Sequence, residues 1–126
     1  MRHVVPAVLL IVALIHALPL AGVLGAAKLS SLYGITVQDP NLEILMRHRA
    51  VLFGLLAAFL AYAAFHRPLH GTALVAAGVS VVSFLVLAAL AGTYNAALST
   101  VVKADIVALV LLVLGTVVHL RGGVGD

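Results

Sequence analysis

Four long apolar runs dominate this sequence and limit the folds open to it. The first, residues 4–24, contains no charged residue and is long enough to cross about 30 Å of hydrocarbon as a helix. Further runs lie at residues 40–65, 72–91 and 97–120. We therefore predict an all-α fold: a polytopic membrane protein whose single domain, residues 1–126, is a bundle of four transmembrane helices.

The composition agrees with a surface that faces lipid. Of the 126 residues, 64% are hydrophobic and 9% are charged, against roughly 25% charged in average domains. The absence of cysteine excludes disulfides, zinc–thiolate sites, iron–sulfur clusters and thiol nucleophiles. The net charge is +3, but the bases sit near helix ends, which indicates topology signalling and contact with membrane lipids rather than nucleic-acid binding.

The longest connection, residues 25–39, separates the first two helices. Residues 28–33 have the pattern of a short interfacial helix, with Leu29 and Leu32 towards the membrane and Tyr33 at the level of the headgroups. We therefore predict a short interfacial segment between the first and second spans.

The second and fourth helices are too short in pure hydrocarbon to span alone. Asp39 and Pro40 mark the start of the second helix, because aspartate is a good N-cap and proline suits the first helical position. Only residues 50–65 of that helix are free of charge and histidine, and they reach about 24 Å. In the fourth helix the uninterrupted apolar part is residues 106–118. The charged first turns of both helices must therefore enter the membrane.

These turns share a depth in the bundle. Intramembrane ionisable residues are costly and usually face the bundle interior, so they are candidates for function. We predict one polar layer in the half of the bundle nearest residues 25–39. Its candidate ligand-binding residues are His16, Glu43, Arg47, His48, Arg49, Lys103 and Asp105, with Tyr94 and Asn95 above them.

The charges of this layer do not balance. Glu43 can pair with Arg47 at i,i+4, and Asp105 can pair with an arginine of the second helix, which leaves about one positive charge. A bound carboxylate, phosphate or lipid headgroup would neutralise it. The structural alternative is that the bases snorkel to headgroups while the acids fix helix register. Successive helical residues turn by about 100°, so at most two of residues 47–49 share a face.

The six histidines divide into two groups. His16 and His48 have similar depths on different helices, which is the arrangement that would ligate a haem. The other four belong to the opposite side and are predicted to be interfacial: His3, His66, His70 and His119. The residues themselves require no cofactor, so haem and quinone stay as alternatives. There is no phosphate loop, nucleophile elbow or His-Glu-x-x-His motif, which disfavours an enzyme.

The stretch Asp39 to Gly54, with Thr93-Tyr94-Asn95 and Lys103-Ala104-Asp105, resembles small four-helix proteins of the bacterial inner membrane. In size and layout the whole chain is similar to the DoxX-like group. That resemblance implies a small membrane subunit that works with a partner, and some DoxX-like proteins are associated with quinone-linked membrane oxidation. No diagnostic motif of the group is matched, so no catalytic residue is carried over.

The bases also predict an orientation. Both termini and residues 66–71 share one side, which carries the bases Arg2, Arg67 and Arg121 and one acid, Asp126. Because bases in short loops favour the cytoplasmic side, we predict both termini in the cytoplasm.

Three functions follow as hypotheses. A non-catalytic subunit or scaffold, in a homo-oligomer or with other membrane-protein subunits, predicts paired charges and no open cavity. A protein that binds or transports an anionic or quinone/lipid-like amphiphile predicts a cavity lined by Arg47, Arg49, Tyr94 and Asp105. A haem or metal redox protein would use His16 and His48.

Overall fold

The computed structural model describes residues 2–125, and the side chains of residues 2–122, so Asp126 lies outside the described part. The described chain forms helices and no strands. The five helices are α1 (Val4–Ala17), α2 (Ala26–Tyr33), α3 (Pro40–Ala64), α4 (His70–Ala91) and α5 (Ala96–Gly125), and short 3₁₀ segments cover Leu18–Leu24 and Arg67–Leu69. The predicted all-α bundle is confirmed.

Four stretches of the described chain are long and apolar enough to cross a membrane. They are Val4–Leu24, Pro40–Ala64, Arg67–Ala91 and Ala96–Gly122. The protein is therefore a multi-pass membrane protein, as the sequence predicted.

The first span changes helix type where Pro19 interrupts it. Proline lacks the N–H that would bond to the carbonyl of Ile15, and its ring crowds that carbonyl. The chain continues as a 3₁₀ helix over Leu18–Leu24, which rises about 2 Å per residue. The predicted bounds, 4–24, are right, but the prediction of one uniform α-helix is wrong over this second half.

The start of α3 was predicted correctly, whereas the start of α4 was not. The carboxylate of Asp39 accepts a hydrogen bond from the backbone N–H of Asn41 at 2.9 Å, so the predicted N-cap of α3 is confirmed. The start of α4 lies at His70, two residues earlier than predicted. His70 is 5% exposed, and its Nε2 donates to the carbonyl of Ala64 at 3.2 Å. The His70 side chain therefore satisfies a carbonyl at the end of α3, a contact that the sequence did not predict.

Helix α1 lies at the centre of the bundle. It packs against α3 on one side and α5 on the other, and α4 packs mainly against α5. Helices α3 and α5 make no extensive contact with each other. Alanines let neighbouring backbones approach closely in this core, as at Ala73 and Ala77 of α4, which have no exposed surface.

The short helix α2 packs on the bundle through its apolar side chains. Leu29 is 1% exposed and Tyr33 is 5% exposed, and both pack with Val37 in a second apolar cluster. Gly25, with φ of 131°, turns the chain back so that Leu29 meets the bare backbone of Gly22. The prediction that Leu29 faces the membrane is therefore wrong, and the Tyr33 side chain packs inside the protein.

Candidate functional site

A cavity of about 340 Å³ lies at the end of the bundle that α2 covers. Ligand pockets usually start at about 300 Å³, so this cavity has room for a small molecule. It is partly open, and every helix of the bundle contributes to its wall. The lining residues are Ile15, His16, Leu18, Pro19, Leu32, Tyr33, Arg49, Phe53, Phe84, Ala97, Thr100, Val101, Ala104 and Asp105.

Arg49 is the cation of this cavity. Its Nη1 donates to the hydroxyl of Tyr33 at 2.9 Å, and its guanidinium lies 4.5 Å from the centre of the Phe53 ring. Phe53 follows Arg49 by one helical turn, so both side chains emerge from the same face of α3. The hydrogen bond and the cation–π contact together hold the guanidinium at the cavity wall.

Asp105 is the acid of this cavity and lies at the depth of Arg49. Each residue is nine positions beyond the first residue of its helix, or about 14 Å along the axis. Among the described residues, no hydrogen bond and no ion pair within 4.0 Å joins Asp105 to another group. The charge of Arg49 attracts the carboxylate from a distance. The predicted ion pair is not formed, because α3 and α5 are not packed against each other here.

His16 closes the cavity on the α1 side and is 3% exposed. Its Nδ1 donates to the carbonyl of Val12 at 2.9 Å, since that oxygen can only accept. In the neutral ring Nε2 then accepts from the hydroxyl of Ser80 at 2.9 Å, and this bond joins α1 to α4. Both ring nitrogens thus have protein partners.

The predicted haem pair is not brought together in the cavity. His48 is exposed and does not line it, because the 100° step between neighbouring residues turns His48 away when Arg49 points inward. A haem held by both histidines would require His16 to give up its bond to Ser80.

Arg47 and Glu43 form a second polar group, at the rim of the bundle and outside the cavity lining. Their side chains lie 3.8 Å apart, so the predicted i,i+4 pair is confirmed. Arg47 also donates from Nε to the carbonyl of Val23 at 2.9 Å, which ties α3 to the end of the first span. The sequence predicted that Arg47 and Tyr94 would line the cavity. That prediction is wrong for Arg47, whose contacts here are structural.

The remaining predicted residues also lie outside the cavity lining. Tyr94 and Lys103 are exposed. Asn95 has a structural position: its Oδ1 accepts from the N–H of Leu98 at 2.8 Å, and its Nδ2 donates to the carbonyls of Tyr33 and Gly34. One side chain thereby caps α5 and holds the end of α2.

Sequence reasoning missed the aromatic and small residues of the site. Tyr33, Phe53 and Phe84 supply its aromatic walls, and Ala97 and Ala104 leave its space open. A signal was present on α5, because Ala97, Val101 and Asp105 recur at four-residue spacing on one face. Phe84 had no such signal, since α4 is apolar on every side.

None of the family models, curated proteins or solved structures compared with this chain matches it. The resemblance to the DoxX-like group therefore stays a prediction.

Proposed function

We propose that this protein binds a small amphiphilic molecule, quinone-like or lipid-like, in the cavity between α1, α3 and α5. The observation that carries this proposal is the combination of apolar walls with one cation and one acid at the same depth. Apolar pockets with a few placed polar groups are typical of small-molecule sites. A packed structural layer would instead be expected to pair Asp105 directly with a base.

The charges favour an amphiphile whose polar end is uncharged. Arg49 alone would attract an anion, but Asp105 on the facing wall opposes one. The surplus positive charge expected from the sequence does not lie in the cavity, because Arg47 pairs with Glu43 outside the lining and Lys103 is exposed. This arrangement supports a neutral polar group, such as a hydroxyl or a carbonyl, over a carboxylate or a phosphate.

The depth of the site supports delivery from the membrane. Arg49 and Asp105 lie about 14 Å from the starts of their helices, within the spans Pro40–Ala64 and Ala96–Gly122. A molecule dissolved in the bilayer would already have its apolar part at this level. We propose that the protein lies in a bacterial inner membrane, with residues 66–71 and both termini on the cytoplasmic side.

Native mass spectrometry in detergent tests the proposal with 4-dodecylphenol as the probe. We expect the wild-type protein to retain one probe molecule. Ala104→Phe should fill the cavity and abolish retention, whereas Val107→Phe, on the lipid-facing side of the same helix, should leave it unchanged. Circular dichroism checks that both variants fold.

Two results would contradict the proposal. One is the absence of a retained probe in the wild-type protein. The other is equal retention by the wild-type protein and a folded Ala104→Phe variant, since the probe would then sit on the apolar surface.

A scaffold or subunit role is the second candidate. The observation in its favour is the tie that Arg47, Asn95 and His16 make between different parts of the bundle, which fixes a rigid shape for a partner to bind. Cross-linking in native membranes followed by pull-down tests it. Recovery of the monomer alone would count against this role.

A further inference from the structure

Among the polar side chains that line the cavity, Asp105 is the one without a hydrogen-bond partner in the described structure. Among the described residues, the carboxylate has no hydrogen-bond partner, although it is half-buried in a membrane-spanning helix. Acceptors without donors are costly in such surroundings. A molecule that fills the cavity and brings a donor would satisfy this carboxylate.

Arg49 and Tyr33 line the same cavity and can donate to acceptor atoms of a ligand. Arginine has five N–H groups, and the hydrogen bond from Arg49 to the Tyr33 hydroxyl uses one of them, at Nη1. The Tyr33 hydroxyl accepts that bond, so its own proton is left to donate. The cavity therefore has hydrogen-bond donors at Arg49 and Tyr33 and an acceptor at Asp105.

The other polar groups at the wall have partners within the protein. His16 bonds to Val12 and Ser80, and the hydroxyl of Thr100 donates to the carbonyl of Ala96 at 3.2 Å. Neither is placed to supply Asp105 with a proton donor. A bound molecule can supply the donor that these groups do not.

We infer that the site selects amphiphiles whose polar end carries a hydroxyl group over matched molecules that can only accept. The inference rests on the function proposed above and narrows its ligand class. A hydroxyl on a ring or chain donates its proton to the Asp105 carboxylate. Its oxygen lone pairs can accept from Arg49 or Tyr33, which line the same cavity.

A matched pair of probes tests this selection. 4-Dodecylphenol and 4-dodecylanisole share the ring and the chain, but the methyl ether has no proton to donate. We expect the phenol to bind wild-type protein about tenfold more tightly, which corresponds to about 1.4 kcal/mol. Competition between the probes is measured by native mass spectrometry, with the protein in one detergent throughout.

Two variants assign the effect to Asp105. In Asp105→Asn the amide both donates and accepts, so the preference for the phenol should fall to within about twofold. Lys103→Gln is the matched control: Lys103 is exposed on the same helix, two residues away, and its loss should leave the tenfold preference intact. Thermal melts confirm that both variants are folded.

The outcomes separate this inference from the proposed function. Equal binding of phenol and ether, both blocked by Ala104→Phe, would overturn the inference and leave the proposed function standing. Binding of neither probe would overturn both. A preference that persists unchanged in a folded Asp105→Asn variant would also overturn the inference, because Asp105 would not be the selecting group.

Discussion

At the scale of single residues, Arg49 joins α3 to α2 at the cavity. It donates to Tyr33 of α2, lies over Phe53 of α3 and faces Asp105 of α5. The Tyr33 hydroxyl is the acceptor that fixes the guanidinium, and hydrogen bonds to charged groups contribute more than neutral ones. The position of Arg49 therefore depends on a residue that is 16 positions earlier in the chain.

Replacing Tyr33 by Phe should lower the free energy of unfolding by about 1–2 kcal/mol, because Arg49 loses its acceptor. The measurement is an SDS titration in mixed micelles followed by circular dichroism. Tyr94→Phe is the control, since Tyr94 is exposed and makes no hydrogen bond with a described residue, and it should change little. Equal effects of the two substitutions would show that the hydroxyl of Tyr33 does not stabilise the bundle.

Ser80→Ala should also destabilise the bundle, through His16. The substitution removes the hydroxyl that donates to Nε2 and leaves a buried acceptor without its partner. Interhelical hydrogen bonds in membranes contribute about 0.6 kcal/mol on average and reach about 1.7, so we expect a loss near 1 kcal/mol in the same titration. Ser83→Ala removes only a bond within α4 and serves as the control; a loss as large as that of Ser80→Ala would contradict the role of His16.

Residue identity and spacing predicted part of this network. The N-cap at Asp39 and the Glu43–Arg47 pair are local, so the order of residues along one helix was enough to find them. Which residue of Arg47, His48 and Arg49 faces inward depends on the rotation of α3 against α1. That rotation is set by packing between helices, and no pattern within 47–49 records it.

At the scale of secondary-structure elements, the connection to α5 carries more than a turn. Asn95 caps α5 through the N–H of Leu98 and holds α2 through the carbonyls of Tyr33 and Gly34. Asn95→Ala should cost about 1–2 kcal/mol and should speed hydrogen–deuterium exchange in residues 26–34. Asn95→Asp keeps the capping oxygen but loses the donor, so it should speed exchange in α2 and preserve the cap.

Thr93→Ala is the control for both Asn95 variants, because Thr93 is exposed and precedes α5. Exchange in α2 that is no faster in either Asn95 variant than in Thr93→Ala would show that the Asn95 side chain does not hold this helix.

Side chains of α1 and α4 pack closely against α5 at Gly115. A Cβ atom there would lie 3.2 Å from Cγ1 of Val8 and 3.4 Å from Cδ2 of Leu74, whereas a Cβ at Gly78 would meet nothing within 4 Å. Gly115→Val should therefore cost about 1–3 kcal/mol through overpacking. Gly78→Val should stay within about 0.5 kcal/mol, and equal unfolding free energies for the two variants would contradict this packing.

The elements themselves show where sequence patterns are informative. The four membrane-spanning stretches were predicted with nearly correct bounds, because membrane thickness sets their length. A short helix was predicted over residues 28–33, within α2, but with Leu29 on the wrong surface. Whether Leu29 meets lipid or Gly22 depends on the turn at Gly25, which hydrophobic spacing cannot reveal.

At the scale of the whole molecule, the asymmetry of the bundle was predictable but the cavity was not. Charge placement indicated one polar half and one apolar half, and the described structure has Arg49, Asp105 and His16 at the polar end. The space between them exists because α3 and α5 both pack on α1 and leave a gap opposite to it. Such a gap follows from the arrangement of all helices and from no single one.

The same arrangement puts the two ends of the bundle on opposite sides of the membrane. Three threonines at these ends can be used to determine which end faces the cytoplasm. Thr36 and Thr93 lie before α3 and after α4, at the end that α2 covers, while Thr72 lies near the start of α4 at the other end. All three are exposed, and the chain has no cysteine, so each can be replaced by a single Cys that is the only thiol present.

If residues 66–71 face the cytoplasm, as the positive-inside rule predicts, a membrane-impermeant maleimide should label Thr36→Cys and Thr93→Cys in intact bacterial cells. Thr72→Cys should be labelled only after the membrane is opened. The reverse pattern would give the opposite orientation, with the fold unchanged. Labelling of Thr36→Cys and Thr93→Cys from different sides would contradict the topology itself, because α3 and α4 together must cross the membrane an even number of times.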